Sequence, residues 1–156
     1  MKVLLLTVGR PGRRLAPAID EYERRAGRYW PFDVVEVKEE KAHGQPDDVR
    51  AAESGRLMAA VPAGFEVVAL TRKGRAWSST RLARYLQELA VRSAPGVAFL
   101  IGGAFGLHAD TIARARHRLS LSAFTLPHDI ARLNVVEQIY RAGTIVRGEP
   151  YHKGGA

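Results

Sequence analysis

No cysteine occurs in the 156 residues, which removes a disulfide framework and a thiolate metal site from consideration. The five histidines fall in no HExxH pattern, so a zinc centre lacks its ligand spacing and no metal is expected. No apolar run reaches the roughly 18 residues of a membrane span, and no charged-then-apolar leader opens the chain, so the cytoplasm is the expected compartment. Repeats, low-complexity tracts and long linkers are also missing, and residues 1–156 are expected to form a single domain. Acidic residues are few: 16 Asp and Glu face 24 Lys and Arg, a formal charge of +8. Nineteen of those 24 cations are arginine, whose planar fork pairs phosphate bidentately, and the balance fits a nucleic-acid binder. A GC-rich or heat-adapted genome yields the same bias.

What the chain does contain is 46% hydrophobic residues, enough for a core without staples. Four short apolar runs read as strands: KVLLLTV at 2–8, FDVVEV at 32–37, FEVVAL at 65–70 and GVAFLI at 96–101. Continuous rather than alternating hydrophobicity indicates strands covered on both faces, as in a parallel sheet. Helical stretches lie between them at 15–28, 47–60 and 79–92, the last introduced by SST, a source of an N-cap hydroxyl. A further helix is expected at 110–116, then a short LSLSAFTL segment, then a long helix over 129–146. His128 reads as part of that helix start. The order predicts a doubly wound α/β fold, with a charged, mobile surface loop over 38–50. In such sheets ligands sit beyond the carboxyl ends of the strands, where LIGGAFGLHAD falls. No lysine follows the glycines, so this is not a P-loop, and Gly102, Gly103 and Gly106 have GGxxG rather than GxGxxG spacing. By themselves they indicate either a tight turn or a ligand packed hard against bare backbone.

The stretches LIGG, LSLSAFTLPH, EQIYRA and RGEPYHK, with VGR and DEYERR near the start, resemble the bacterial family that methylates N3 of a pseudouridine in 23S ribosomal RNA. That family is a minimal branch of the SPOUT, or α/β-knot, methyltransferases. The resemblance implies a mostly parallel sheet flanked by helices, with a deep C-terminal trefoil knot. It also implies a homodimer with active sites at the subunit interface, S-adenosyl-L-methionine as cofactor, and 23S rRNA or the ribosome as partner. The last helix carries Ile130, Leu133, Val136, Ile139, Tyr140, Gly143 and Val146 at helical spacing, an apolar stripe that must be buried within the chain or against a second copy.

By the same resemblance, the cofactor is cradled by three loops. Leu70 ends one strand, Gly102 and Gly103 form the glycine turn, and Leu121, Ser122, Ala123, Phe124, Thr125 and Leu126 make the third wall, with the glycines letting the bent cofactor approach. The family pattern often has a proline and an acidic residue inside the turn, whereas Ala104 and Phe105 stand here. Arg141, Tyr151 and His152 are implied for catalysis. Arg141 lies four residues after Glu137, a spacing that can fix its fork. Tyr151 can stack on or hydrogen-bond a flipped base, and a histidine such as His152 suits a proton acceptor near neutrality. Without the resemblance, the last residues would read as a frayed tail. RPGRR at 10–14 and TRKGR at 71–75 are expected as basic loops meeting RNA phosphate, and Trp77 either stacks on RNA or is buried over the next helix. A SPOUT enzyme with a ribose 2′-hydroxyl acceptor and a non-catalytic ribosome-associated protein stay open as alternatives.

Overall fold

The computed structural model describes residues 1–41 and 44–153; positions 42 and 43 of the expected 38–50 loop and 154–156 of the expected domain lie outside the described residues. Five strands, β1 (Lys2–Val8), β2 (Phe32–Val37), β3 (Glu66–Ala76), β4 (Gly96–Ile101) and β5 (His117–Ser120), form one sheet in the order β2-β1-β4-β3-β5. All neighbouring pairs run parallel. The helices are α1 (Ala16–Ala26), α2 (Pro46–Ala59), α3 (Ser79–Val91), α4 (Ala109–Arg114) and α5 (His128–Val146), followed by a short 3-10 turn, Pro150–His152.

Side chains of successive strand residues point to opposite faces, and both faces are covered. Val3, Leu5, Val97 and Phe99 join Leu86, Leu89 and Ile139 on one face, under α1, α3 and α5. Leu4, Leu6, Ala98 and Leu100 join Leu57 and the half-buried Ile112 on the other, under α2 and α4. Each fully buried leucine or isoleucine here contributes about 1.5–3 kcal/mol. The parallel sheet expected from continuous apolar runs is therefore present, with local capping as expected: Ser78 precedes α3 and its hydroxyl accepts from Arg81 N at 3.1 Å.

Several boundaries differ. β3 runs on to Ala76, so TRKGR is strand rather than loop. The extension is held by pairing of Arg75 and Ala76 with Leu119 and Ser120 of β5 after a register shift beyond Leu70. Gly74 allows that approach, because a Cβ there would lie 2.6 Å from the Arg118 backbone. Only the first two residues of LSLSAFTL are in a strand, since β5 begins at His117. Pro46 starts α2 inside the stretch expected as loop, its fixed φ suiting a first helical turn. α4 stops at Arg114 because the backbone turns extended at Ala115 to enter β5.

The last helix is buried more broadly than a single stripe. α5 packs between α1 and α3, so Ala131, Val135 and Ala142 are buried along with Val136, Ile139, Tyr140 and Gly143, while Ile130 and Val146 are exposed. Its rotation is fixed at both ends. Near the start, Arg132 is only 5% exposed and donates to Glu23 of α1 at 2.7 Å and to Glu36 of β2 at 2.5 Å. Near the end, Trp30 Nε1 donates to the Ile139 carbonyl at 3.1 Å. Trp77 is half-buried at the start of α3, edge-on to Tyr85 and His117.

Candidate active site

β4 delivers the chain to a closed turn over 102–106. Gly106 N donates to the Gly103 carbonyl at 3.0 Å, Ala104 and Phe105 occupy the two central positions, and Gly106 takes φ +80°, which a side chain would resist. Gly102 packs backbone on backbone: a Cβ there would stand 2.5 Å from Gly106 C and 2.7 Å from Leu107 N. At Gly103 the missing Cβ faces Glu53 Oε1, at 2.7 Å. The Cβ direction at Gly103 thus leads to a carboxylate of α2, while the Gly103 backbone lines the adjoining cleft.

A cleft of about 660 Å³ opens beside this turn, between residues 70–73 of β3 and the segment 121–126. Leu70, Gly102, Gly103, Leu121, Ser122, Phe124, Thr125 and Leu126 all line it; Ala123 does not. Leu70 lies within β3, at the register shift, rather than at its end. The third wall is internally braced. Ser120 Oγ donates to the Ser122 carbonyl at 3.0 Å, Ser122 Oγ accepts from Phe124 N at 2.9 Å, and Arg72 Nη1 reaches across to Thr125 Oγ1 at 2.9 Å. Phe124, held in this way, is 82% exposed.

Helix α2 supports the turn, which the sequence analysis missed. Asp47 and Arg50 line the cleft, Arg50 Nη1 donates to the Phe105 carbonyl at 3.4 Å, and Ser54 Oγ accepts from His108 N at 2.9 Å. Glu53 lies between them, buried under Gly103. A signal was present: Val49, Glu53 and Leu57 share one face at i, i+4 spacing, so a carboxylate interrupts an apolar row.

Arg141, Tyr151 and His152 gather elsewhere. The α5 residues lining the cleft are His128 and Ala131, and Arg141 lies nearly three turns further on, about 15 Å at 1.5 Å per residue. There Arg141 Nε and Nη2 donate to Glu137 Oε1 at 3.0 and 2.6 Å, the i,i+4 pairing expected from spacing. The guanidinium lies over the Tyr151 ring at 4.9 Å. Tyr151 donates to the same Glu137 oxygen at 3.0 Å and its ring meets Tyr140 edge-on at 4.6 Å. Tyr29 donates to Glu149, just before the 3-10 turn. The tail is thus docked through residue 153 rather than frayed. Burial, then hydrogen bonding with Tyr22 and Glu137, pushes the Tyr151 phenol well above the ordinary tyrosine range, so this phenol holds its proton. His152 buries its Nδ1 with no hydrogen-bond partner among the described residues.

The cleft suits an adenosyl ligand. Its volume is that of a small-molecule site, with apolar walls from Leu70, Ile101, Leu121 and Leu126 and backbone polar groups along the turn. Behind Gly103, Glu53 Oε1 is buried without a hydrogen-bond partner among the described residues.

Comparison with known proteins agrees with this architecture. The family model described as "Predicted SPOUT methyltransferase" matches residues 1–152. A Gemmatimonas aurantiaca protein named ribosomal RNA large subunit methyltransferase H is 53% identical over 155 residues, covering 98% of this chain and all of the relative. A relative of the same name from Anaeromyxobacter dehalogenans is 45% identical with the same coverage. In fold, the chain matches a solved "Probable Methyltransferase from Bordetella pertussis Tohama I" at TM-score 0.57 and 18% identity, over 90% of this chain and 95% of that one. A parallel sheet with a glycine turn at its carboxyl edge, and full-length likeness to these relatives, lead to one statement: the chain belongs to the SPOUT methyltransferase family.

Proposed function

We propose that the chain, a single domain over 1–156, transfers a methyl group from S-adenosyl-L-methionine to N3 of a pseudouridine in 23S ribosomal RNA. It does so in the cytoplasm, as a homodimer, on the assembled ribosome. The observation that carries this reading is the 53% identity, over nearly the whole of both chains, with a relative named for large-subunit ribosomal RNA.

When bound, the cofactor would supply an electrophilic methyl group on a positively charged sulfur. Leu70, Leu121 and Leu126 would flank its adenine, the backbone at Gly102 and Gly103 would approach its bent chain, and Ser122, Phe124 and Thr125, continuous with Ala123, would close the third side. On the acceptor, the N3 proton is about as acidic as a tyrosine or lysine side chain, so a nearby cation and a modest base are sufficient and no metal is invoked. Arg141, its fork oriented by Glu137, meets the carbonyl or phosphate beside the developing N3 anion. Tyr151, which keeps its proton, stacks on or donates to the base. His152 receives the N3 proton.

The cleft and the tail stand at opposite ends of α5, and a homodimer unites them: the tail end of one copy faces the cleft of the other. A deep C-terminal trefoil knot, as the family likeness implies, would involve the path from β5 through 121–127 into α5. Arg72 and Lys73, which line the cleft, would meet RNA phosphates together with Arg75 on β3 and with Arg10, Arg13 and Arg14 beyond β1.

The test is nucleoside mass spectrometry after incubating the purified chain with S-adenosylmethionine and unmethylated ribosomes. The expected product is N3-methylpseudouridine; a ribose methyl or no methyl overturns the reading. Deleting 150–156 should leave cofactor binding nearly intact and lower methylation about a hundredfold, the scale of a lost acid–base or positioning group.

A further inference from the structure

We propose that the buried Glu53 carboxylate is the counter-charge of the methyl donor, acting through the bare backbone of Gly103 to favour the cationic sulfonium over the neutral thioether left after transfer. This rests on S-adenosylmethionine being the donor.

Glu53 is 4% exposed. Its Oε2 accepts from Glu40 N at 3.1 Å, while Oε1 is buried with no hydrogen-bond partner among the described residues. Among the described residues no cation stands within ion-pair distance of either oxygen. A buried carboxylate is ordinarily retained only with its charge compensated, so the compensation is to be sought nearby. The place is set by Gly103. A Cβ there would lie 2.7 Å from Oε1, and Gly103 itself lines the cleft, so a single peptide's thickness separates carboxylate from ligand.

The cleft's own charges create the need. Arg50, Arg72 and Lys73 line it against one carboxylate, Asp47, and Asp47 is already drawn to Arg50 at 3.5 Å and His108 at 3.6 Å. A sulfonium entering this cationic lining requires a further anion. Glu53 supplies it from behind the turn, where little water intervenes and a unit charge acts over several ångströms. Once the methyl group has left, the sulfur is neutral and that attraction is gone. The same carboxylate that draws in the donor thereby ceases to hold the product. Glu53 touches neither ligand and is a positioning residue in this scheme.

Calorimetric titration of the intact protein with S-adenosylmethionine and with S-adenosylhomocysteine tests it. Glu53→Gln should raise the dissociation constant of the cationic ligand about tenfold, or 1.4 kcal/mol, and that of the neutral one by less than about twofold, the conversion being the usual one. Equal weakening of both, or of neither, assigns Glu53 a purely structural part and overturns the proposal. Should Glu53→Gln lose its cooperative melt, Glu53→Asp reads the same quantity, because its shorter side chain draws the carboxylate back from Gly103. A reduced preference for the cation then supports the proposal and an unchanged one overturns it. Wild-type protein that binds neither ligand refutes the donor assignment and the proposal together; if it binds both, the variants judge the proposal alone.

Discussion

Two helical glycines, Gly143 in α5 and Gly55 in α2, should respond to the same substitution with opposite signs. At Gly143 an added Cβ would stand 2.5 Å from Tyr29 Cβ and 2.8 Å from Cδ1. Ordinary carbon contacts are about 3.5–4.0 Å, so α5 and the turn after α1 that carries Tyr29 must part by roughly 1 Å, and Tyr29 cannot rotate away because its Cβ is fixed to the backbone. Overpacking of this kind costs about 1–3 kcal/mol, and an obstacle that cannot rotate away places this site in the upper half of that range, about 2–3 kcal/mol. Alanine offsets about 1 kcal/mol of that by its better helix propensity. Gly143→Ala should therefore destabilise by about 1–2 kcal/mol, and at about 2–4 °C per kcal/mol for a chain of this size the melting point should fall by about 2–8 °C. At Gly55 nothing lies within 4 Å of the added methyl, so only the propensity gain operates and Gly55→Ala should stabilise by about 0.5–1 kcal/mol. Thermal melts of both variants and wild type at one protein concentration decide the matter. A Gly143→Ala protein at least as stable as wild type would refute the tight contact of α5 with Tyr29.

Gly102→Ala should force the 102–106 turn open against its own backbone and raise the dissociation constants for S-adenosylmethionine and S-adenosylhomocysteine alike, at least about tenfold, whereas Gly103→Ala, whose Cβ meets the Glu53 carboxylate rather than backbone, should leave the turn closed and weaken mainly the cationic ligand; the same pattern for both variants in a titration would contradict the geometry. Arg132→Met should lower stability by about 3–5 kcal/mol at pH 7, as expected when one partner of a buried ion pair is removed. Burial already raises the Glu23 carboxyl, and Arg132 opposes that rise; without Arg132 it rises further, so lowering the pH towards 5 should return part of the loss by protonating Glu23. Denaturant unfolding at the two pH values checks both sign and size. The hydrogen bond to Glu149 pushes the Tyr29 phenol up to about 12. The stability it provides is fully present below the ordinary tyrosine value of about 10 and should disappear as the pH rises through about 12, so an absorbance titration of Tyr29→Phe against wild type should lack the late phenol, not one titrating near 10.

The sheet was legible because burial on both faces leaves continuous apolar runs, and the runs at 2–8 and 96–101 became β1 and β4 with those bounds. The end of β3 was not legible, because residues 71–76 are mostly polar, half-buried or exposed, and are kept in strand by β5 rather than by their own hydrophobicity. The three segments of the cleft were found through family likeness, and GGxxG alone left a turn and a ligand site equally open. Helix α2 escaped notice because its contributions are made by common polar residues: Arg50, Glu53 and Ser54 acquire meaning only when the turn lies across them. The docked tail escaped residue-level reading for a similar reason, since Tyr151 depends on Tyr140 and Glu137 of α5 for its place.

Helix α5 connects these parts and sets their relation. A helix advances 1.5 Å and turns about 100° per residue, so the direction in which Arg141 points is determined by how α5 is clocked at its cleft end. Arg132 performs that clocking: by serving both Glu23 and Glu36, it permits only the rotation that satisfies two different elements at once. At the far end, Gly143 against Tyr29 and Tyr140 against Tyr22 and Tyr151 admit only the same rotation. A buried arginine with two carboxylates contributes little net stability over an apolar core, and its presence in α5 is better understood as registration. It transmits the position of the cleft, through a rigid helix, to Arg141, Glu137 and the tail, so that these groups hold a single geometry relative to it.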